Sequence, residues 1–252
     1  MSTARYGWLA ALGFGCAGGA MAQGLGADEL AIWPVRDGIY LIVGAGGNTT
    51  VHVGEDGVLV VDTKLATASD ALLAAIKQIS DKPIRYVINT HSHFDHASGL
   101  RTFAAEGATI VTHRENVPYY EQIWSYPRTI APDRLARSGR AASLEGVVGA
   151  RTFDDGSRRL VVYHYGGNLH NAGMLMVFLP RERILIEADS YTPPAGPNDP
   201  PGGLAFLTHF YEAVEALRLD VDQVVPIHGR LVTLDEVRQA VERFGETQLW
   251  RN

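Results

Sequence analysis

Within six consecutive positions, His91-Ser92-His93-Phe94-Asp95-His96, the chain carries four side chains of the kinds that bind metals. Imidazole nitrogen and carboxylate oxygen both suit zinc. In an extended segment alternate residues point to one side, so His91 and His93 face one position, and Asp95 and His96 then turn toward a second. The run follows Ile84 to Ile88, a short apolar stretch that reads as a buried strand. It therefore sits on a loop at the end of a rigid element, a common place for ligand sites. The plain alternative is a polar loop of solvated histidines; four donor side chains at this spacing argue against it.

The elements around this run have a regular order. Ile32 to Arg36 and Ile39 to Val43 flank an Asp37-Gly38 turn, and Thr49 to Val53 and Val58 to Asp62 flank Gly54 to Gly57, which reads as a β-meander. Asp70 to Ile79 has helical spacing at Leu72, Leu73, Ile76 and Ile79. After the motif, Ala97 to Ala105 and Thr109 to Thr112 form a further αβ pair. Residues 119–157 are rich in Arg, Pro, Gly and Tyr with weak periodicity, and read as an insertion over the site. Strand-like runs follow at Arg159 to Tyr165, Met174 to Leu179 and Arg183 to Glu187. A Pro- and Gly-rich loop spans Pro193 to Gly203, and helical patterns at Leu204 to Leu217 and Leu234 to Phe244 bracket the strand Val224 to Ile227. Two blocks of strands, each followed by αβ units, predict a layered α/β sandwich with two sheets inside and helices outside.

The chain has 252 residues, 46% hydrophobic and 20% charged, an ordinary globular composition with enough length for one large domain or two small ones. Its formal net charge of -6 opposes a broad nucleic-acid footprint. Arg5, the apolar run Trp8 to Ala20 and Ala20-Met21-Ala22 together read as a leader. Residues 1–22 are thus expected to be a signal peptide and residues 23–252 the domain, periplasmic or secreted, with no membrane span. Cys16, the single cysteine, falls inside that leader, so the mature chain would hold metal through His, Asp and Glu alone.

His91-x-His93-x-Asp95-His96 resembles the signature of the metallo-β-lactamase superfamily, and the later motifs of that family follow in order. His170, in Gly167-Asn168-Leu169-His170, matches its third histidine; Asp189, after Ile184 to Ala188, matches the acid that bridges two metals; His228, in Val225-Pro226-Ile227-His228-Gly229, matches its last histidine. Asp62, closing Val58 to Asp62, matches the early aspartate that supports the ligands. The resemblance covers roughly Ile32 to Phe244. It implies a four-layer αββα sandwich and two zinc ions per chain. His91, His93 and His170 would hold one ion, Asp95, His96 and His228 the other, with Asp189 between them. It also implies hydrolysis by metal-activated water, with Asp95 as the catalytic proton carrier. Asn171-Ala172-Gly173, Ala188 and Ile227 depart from common residues beside the ligands, and bear on loop shape rather than on the ligand set.

Fold does not fix substrate. An ester, lactone or related acyl bond of a small molecule ranks first, because Asp at the position of Asp189 is unlike the Cys or Ser that established β-lactamase classes generally place there. A β-lactam ranks second, in keeping with export. A non-catalytic metal-binding protein is the rival of another class. His113 and His164, beside strand ends, and Tyr191, two residues after Asp189, are candidate supporting or substrate-contacting residues. Tyr119, Tyr120, Trp124 and Tyr126 either line a cleft or cover core. Arg128, Arg134, Arg137 and Arg140 read as a solvated charged face rather than an anion site.

Overall fold

The structure, a computed structural model, describes residues 29–245. The expected leader lies outside the described residues. Two compact units make up the chain, one through Gly146 and one from Val147.

The first unit is built on a seven-stranded sheet in simple sequence order: β1 (Ala31–Arg36), β2 (Ile39–Val43), β3 (Thr49–Val53), β4 (Val58–Val61), β5 (Ile84–Ile88), β6 (Thr109–His113) and β7 (Ser143–Val147). Neighbours β1 to β4 pair antiparallel through short turns, whereas β4, β5 and β6 pair parallel. Helices α1 (Ser69–Ile79), α2 (Phe94–Ala97) and α3 (Leu100–Ala105) lie in the crossovers that parallel pairing requires. The apolar stripe of α1, Leu72, Leu73 and Ile76, joins Val58, Val60, Val87, Phe103 and Ile110 in one buried cluster. Burial of this set is the main stabilising term of the unit.

The second unit carries a six-stranded sheet in the order β13-β12-β11-β10-β9-β8. Its strands are β8 (Ala150–Asp154), β9 (Arg159–His164), β10 (Leu175–Leu179), β11 (Ile184–Glu187), β12 (Gln223–Pro226) and β13 (Val232–Thr233), with helices α6 (Leu204–Ala216) and α7 (Leu234–Phe244). Strands β11 and β12 are parallel, joined across α6; the others are antiparallel. Thr233 and Glu236 form a reciprocal capping box at the start of α7, which satisfies two backbone N–H groups that the helix leaves unpaired.

The expected two-sheet α/β architecture is present. Residues 119–157 are a correction: this stretch is not an irregular insertion. It holds the end of α4 (Val117–Ser125), α5 (Arg134–Ser138), and strands β7 and β8, which belong to the two sheets. Both strands are short and largely exposed or half-exposed, so little apolar alternation marks them in the sequence. The long helical run at Ala97 to Ala105 is also broken. Gly99 separates α2 from α3, and a Cβ there would meet the Thr63 carbonyl oxygen at 2.4 Å. Among the described residues no helix is long and apolar enough to cross a membrane.

A lysine side chain lies deep in the first unit. Lys64 is 1% exposed. Its Nζ donates to the Ile42 carbonyl at 2.9 Å and to the Gly47 carbonyl, tying the end of β2 to the glycine-rich loop after it. Burial lowers its pKa from 10.5 to about 7, against the opposing pull of Asp62. The unfolded chain therefore binds a proton that the folded chain does not hold between about pH 7 and 10.5, so this group's contribution to stability rises with pH across that window. The unfolding free energy of wild type minus that of Lys64→Met should increase by on the order of 2–3 kcal/mol between pH 7 and pH 10. Urea titrations of both proteins measure this, and a flat difference would mean an ordinary lysine.

Candidate metal centre

Parallel pairing decides where the candidate ligands lie. Val61 of β4 is in register with Ile88 of β5, so Asp62 and the segment Asn89 to His91 leave the sheet at the same edge. Glu187 of β11 is in register with Pro226 of β12, so Asp189 and His228 each follow two residues beyond one shared edge. Sites in such sheets gather outside the carboxyl ends of parallel strands.

In the first unit Asp62 organises the motif. It is 1% exposed and adopts a left-handed backbone with φ 59°. Its Oδ1 accepts the Thr90 backbone N–H at 2.8 Å, and its Oδ2 accepts the Thr90 hydroxyl at 2.6 Å and His96 Nδ1 at 2.7 Å. Donation by Nδ1 fixes the tautomer that leaves a lone pair on His96 Nε2, which lies 3.4 Å from Asp95 Oδ2. Thr63 binds the same segment, donating both its backbone N–H and its side-chain hydroxyl to the His96 carbonyl, each at 3.0 Å. Asn89 Nδ2 donates to the His91 carbonyl at 2.6 Å, while its Oδ1 accepts the Tyr120 hydroxyl at 2.5 Å. His91 Nε2 and His93 Nδ1 approach to 2.9 Å. Asp95 and His96 lie on the single turn of α2, which turns them away from the extended direction of His91.

The second unit presents His170, Asp189 and His228. Asp189 has φ 61°, and Gly203 at the start of α6 lies so close that a Cβ there would meet the Asp189 carbonyl oxygen at 2.5 Å. Its two carboxylate oxygens face different histidines: Oδ2 is 2.8 Å from His170 Nε2 and Oδ1 is 3.1 Å from His228 Nε2. A buried network ties the two loops together. Asn168 Oδ1 accepts the His170 backbone N–H at 2.8 Å, Asn168 Nδ2 donates to Ser190 Oγ at 3.2 Å, and the Tyr165 hydroxyl meets Ser190 Oγ at 2.9 Å. Buried Glu187 accepts the backbone N–H groups of Ser190 and Tyr191, at 3.0 and 3.2 Å. Phe206 of α6 packs edge-on against the His170 ring at 5.0 Å.

Within each unit, then, the expected ligands lie together, four in the first and three in the second. The supporting candidates divide. Asp62 touches His96 directly. His164 Nε2 donates to the Ala172 carbonyl at 2.9 Å, and so holds the loop after His170. His113 caps the short turn after β6, accepting from Glu115 N. Tyr191 is buried, and its hydroxyl pKa is raised by burial first and by Glu236 second. Sequence reading missed Asn89, Thr90, Asn168, Ser190 and His209, whose Nε2 donates to the Gly166 carbonyl at 2.9 Å. A short polar residue one or two positions before a ligand is the one signal that marks Asn89, Thr90 and Asn168.

Asp62→Asn leaves the side-chain volume unchanged but turns an amide toward donors and removes the charge that faces His96. Affinity for a divalent metal, with zinc as the probe, should fall by about 10–100-fold, the usual cost of losing a buried partner of a ligating histidine. Competitive titration with a chromogenic chelator measures this, and unchanged affinity would show that His96 needs no such partner.

Comparisons with known proteins identify the family of the chain. The profile described as metallo-beta-lactamase superfamily matches residues 42–228. Among curated proteins, the chain is 26% identical over 166 residues to the 2,4-dinitroanisole O-demethylase subunit alpha of Nocardioides sp. (strain JS1661), covering 63% of this chain and 43% of that protein. It is 25% identical over 232 residues to a linear primary-alkylsulfatase of Pseudomonas sp. (strain ATCC 19151), covering 75% of this chain and 42% of that one. The chain thus spans less than half the length of these relatives. Among solved structures, DIM-1 metallo-beta-lactamase superposes with a TM-score of 0.66 at 16% identity, over 87% of this chain and 98% of that one. Rubredoxin oxygen:oxidoreductase from the anaerobe Desulfovibrio gigas superposes with a TM-score of 0.67 at 18% identity, over 86% of this chain and 61% of that one. At such identities the superpositions speak for the fold alone, but the profile match contains all seven candidate ligands and Asp62, and the chain belongs to the metallo-β-lactamase superfamily of metal-dependent hydrolases.

Proposed function

We propose that this chain is an exported zinc hydrolase that cleaves an ester, lactone or related acyl bond of a small molecule. The seating of Asp189, with one oxygen toward His170 and the other toward His228, carries the reading. A carboxylate held in that way is suited to span two cations, each with its own imidazole. The donor chemistry fits zinc: imidazole nitrogens and carboxylate oxygens, with a buried acid fixing the tautomer of His96.

In this reading His91, His93 and His170 would hold one zinc, Asp95, His96 and His228 would hold the second, and Asp189 would serve as a ligand to both. When bound, the metals polarise the scissile carbonyl and acidify water, supplying a nucleophile near neutral pH. The residues divide the remaining work by burial. His91 and His96 are fully buried, and the carboxylate of Asp62 keeps His96 in its ligating tautomer. Asp95 is 24% exposed, so its carboxylate is open to solvent and can exchange protons with it. It takes the proton of the attacking water and delivers it to the leaving group. No serine or cysteine nucleophile is required.

A sulfate ester is the second reading, favoured by the alkylsulfatases among the relatives. It uses the same ligands and the same proton carrier. The β-lactam alternative is supported by fold likeness alone.

Purified protein, saturated with zinc and desalted, should contain close to two ions per chain by elemental analysis. At matched zinc content, Asp95→Asn should lower kcat by about a hundredfold or more, with a smaller change in KM. The assay is steady-state kinetics on a generic ester, a lactone, an alkyl sulfate and a chromogenic β-lactam. Wild-type turnover by fully loaded Asp95→Asn would remove Asp95 from the mechanism. Zinc content near zero would overturn the ligand set.

Export rests on Arg5, the apolar run after it and Ala20-Met21-Ala22. The protein recovered from its native host should begin at Gln23 by mass spectrometry. An intact N-terminus in a cytosolic fraction would refute export.

A further inference from the structure

Beside the histidine motif, wholly within the first unit, is a cavity of about 590 Å³, in the size range of small-molecule sites. Ser92, His93 and Phe94 line one end of it, so it opens beside a candidate ligand. Aromatic residues of α4 form a wall. Tyr120 is fixed from behind by its hydrogen bond to Asn89, and its ring lies 5.3 Å from those of both Tyr119 and Trp124. Phe94, 70% exposed, stands at the motif end of the cavity.

The charges of this cavity do not cancel. Four arginines and two aspartates line it, in a chain whose net charge is -6. Both aspartates are already engaged. Arg101 makes a two-pronged pair with Asp133, whose pKa is drawn down to about 2, first by that hydrogen bond. Arg134 bonds Asp70 at 3.0 Å and Glu106 at 3.2 Å. Arg128 and Arg137 remain. Arg137 Nη1 donates to the Pro132 carbonyl, which orients the guanidinium without neutralising it. Arg128 adds to the field that lowers the pKa of Asp133, but among the described residues it has no carboxylate in contact. An aromatic wall ending in two unneutralised guanidinium groups is complementary to an apolar body that carries an anion.

We propose that this cavity receives the part of the substrate remote from the scissile bond, that this part is an alkyl or aryl group bearing a carboxylate, and that Arg128 and Arg137 select for it. This deepens the acyl-hydrolase reading and rests on it for the position of the scissile bond. Three of the four arginines that look like a solvated face in sequence thus line the cavity. Arg134 builds the wall together with Arg101, and Arg128 and Arg137 face the ligand.

The test has a binding arm and a kinetic arm, both on zinc-loaded protein. In the first, 4-phenylbutyrate and the uncharged 4-phenylbutanol are titrated by calorimetry into wild type and Arg128→Gln/Arg137→Gln. Both arginines are exposed, so glutamine should be tolerated by the fold, and circular dichroism checks it. Wild type should prefer the carboxylate, and the double variant should bind it at least about tenfold more weakly, the scale of a lost charge-assisted contact. Equal binding of 4-phenylbutyrate by both proteins overturns the proposal, since a carboxylate held at the metals would give that result. In the second arm, the mono-4-nitrophenyl ester of adipic acid is compared with 4-nitrophenyl hexanoate. The ratio of their kcat/KM values should favour the adipate ester in wild type, and fall about tenfold or more in the double variant. A ratio unmoved by the substitutions also overturns the proposal. If neither ester turns over, the acyl-hydrolase reading fails, while the binding arm still decides whether the cavity is an anion-selective pocket.

Discussion

The buried carboxylate of Asp62 is the constraint on which the rest of the first unit's chemistry depends. A carboxylate with almost no exposure is costly unless its lone pairs are filled. Here they are filled by Thr90 and His96, the first flanking the ligand run and the second inside it. Satisfying the charge and setting the ligand geometry are therefore the same act. The penalty for leaving a buried carboxylate bare keeps the loop after β5 against the loop after β4. Thr63 and Gly99 strengthen the join, one by bonding the His96 carbonyl and the other by permitting close approach of backbone.

The second unit solves the same problem with a longer polar chain. Asp189 leaves β11 in a left-handed conformation, and buried Glu187 binds the two backbone N–H groups that follow it. Ser190 then connects Asn168 and Tyr165 to this turn. A buried hydrogen-bonded network of this kind is rigid, because displacing any member costs it a partner. Rigidity of this sort is what a binding constellation needs from its supports. Parallel pairing supplies the coarse placement in both units, and the buried polar contacts supply the fine one.

The network also reaches beyond the ligands. Asn89 binds the His91 carbonyl on one side and the Tyr120 hydroxyl on the other, and Tyr120 is part of the cavity wall. One buried amide thus couples the position of a candidate ligand to that of an aromatic surface. Shape changes in the cavity are expected to be felt at the motif through this contact, and the reverse.

Much of this protein follows from local sequence. Strands β2, β3 and β5 and helix α7 keep the boundaries that hydrophobic periodicity and turn residues set for them; β2 and β5 bury apolar runs, and local turn and capping residues bound β3 and α7. The ligand types are equally legible, since four donors in six residues have few other uses. Strands β7 and β8 were not legible: they are short and weakly buried, and their pairing partners decide that they are strands at all. Spacing could not divide the arginines either. Arg101 with Asp133, and Arg134 with Asp70 and Glu106, are pairs between residues 28 to 64 positions apart. Residue types determine which chemistry is available. Only the tertiary structure decides which charges are cancelled, because cancellation depends on distance in space, and a sequence records distance only along the chain.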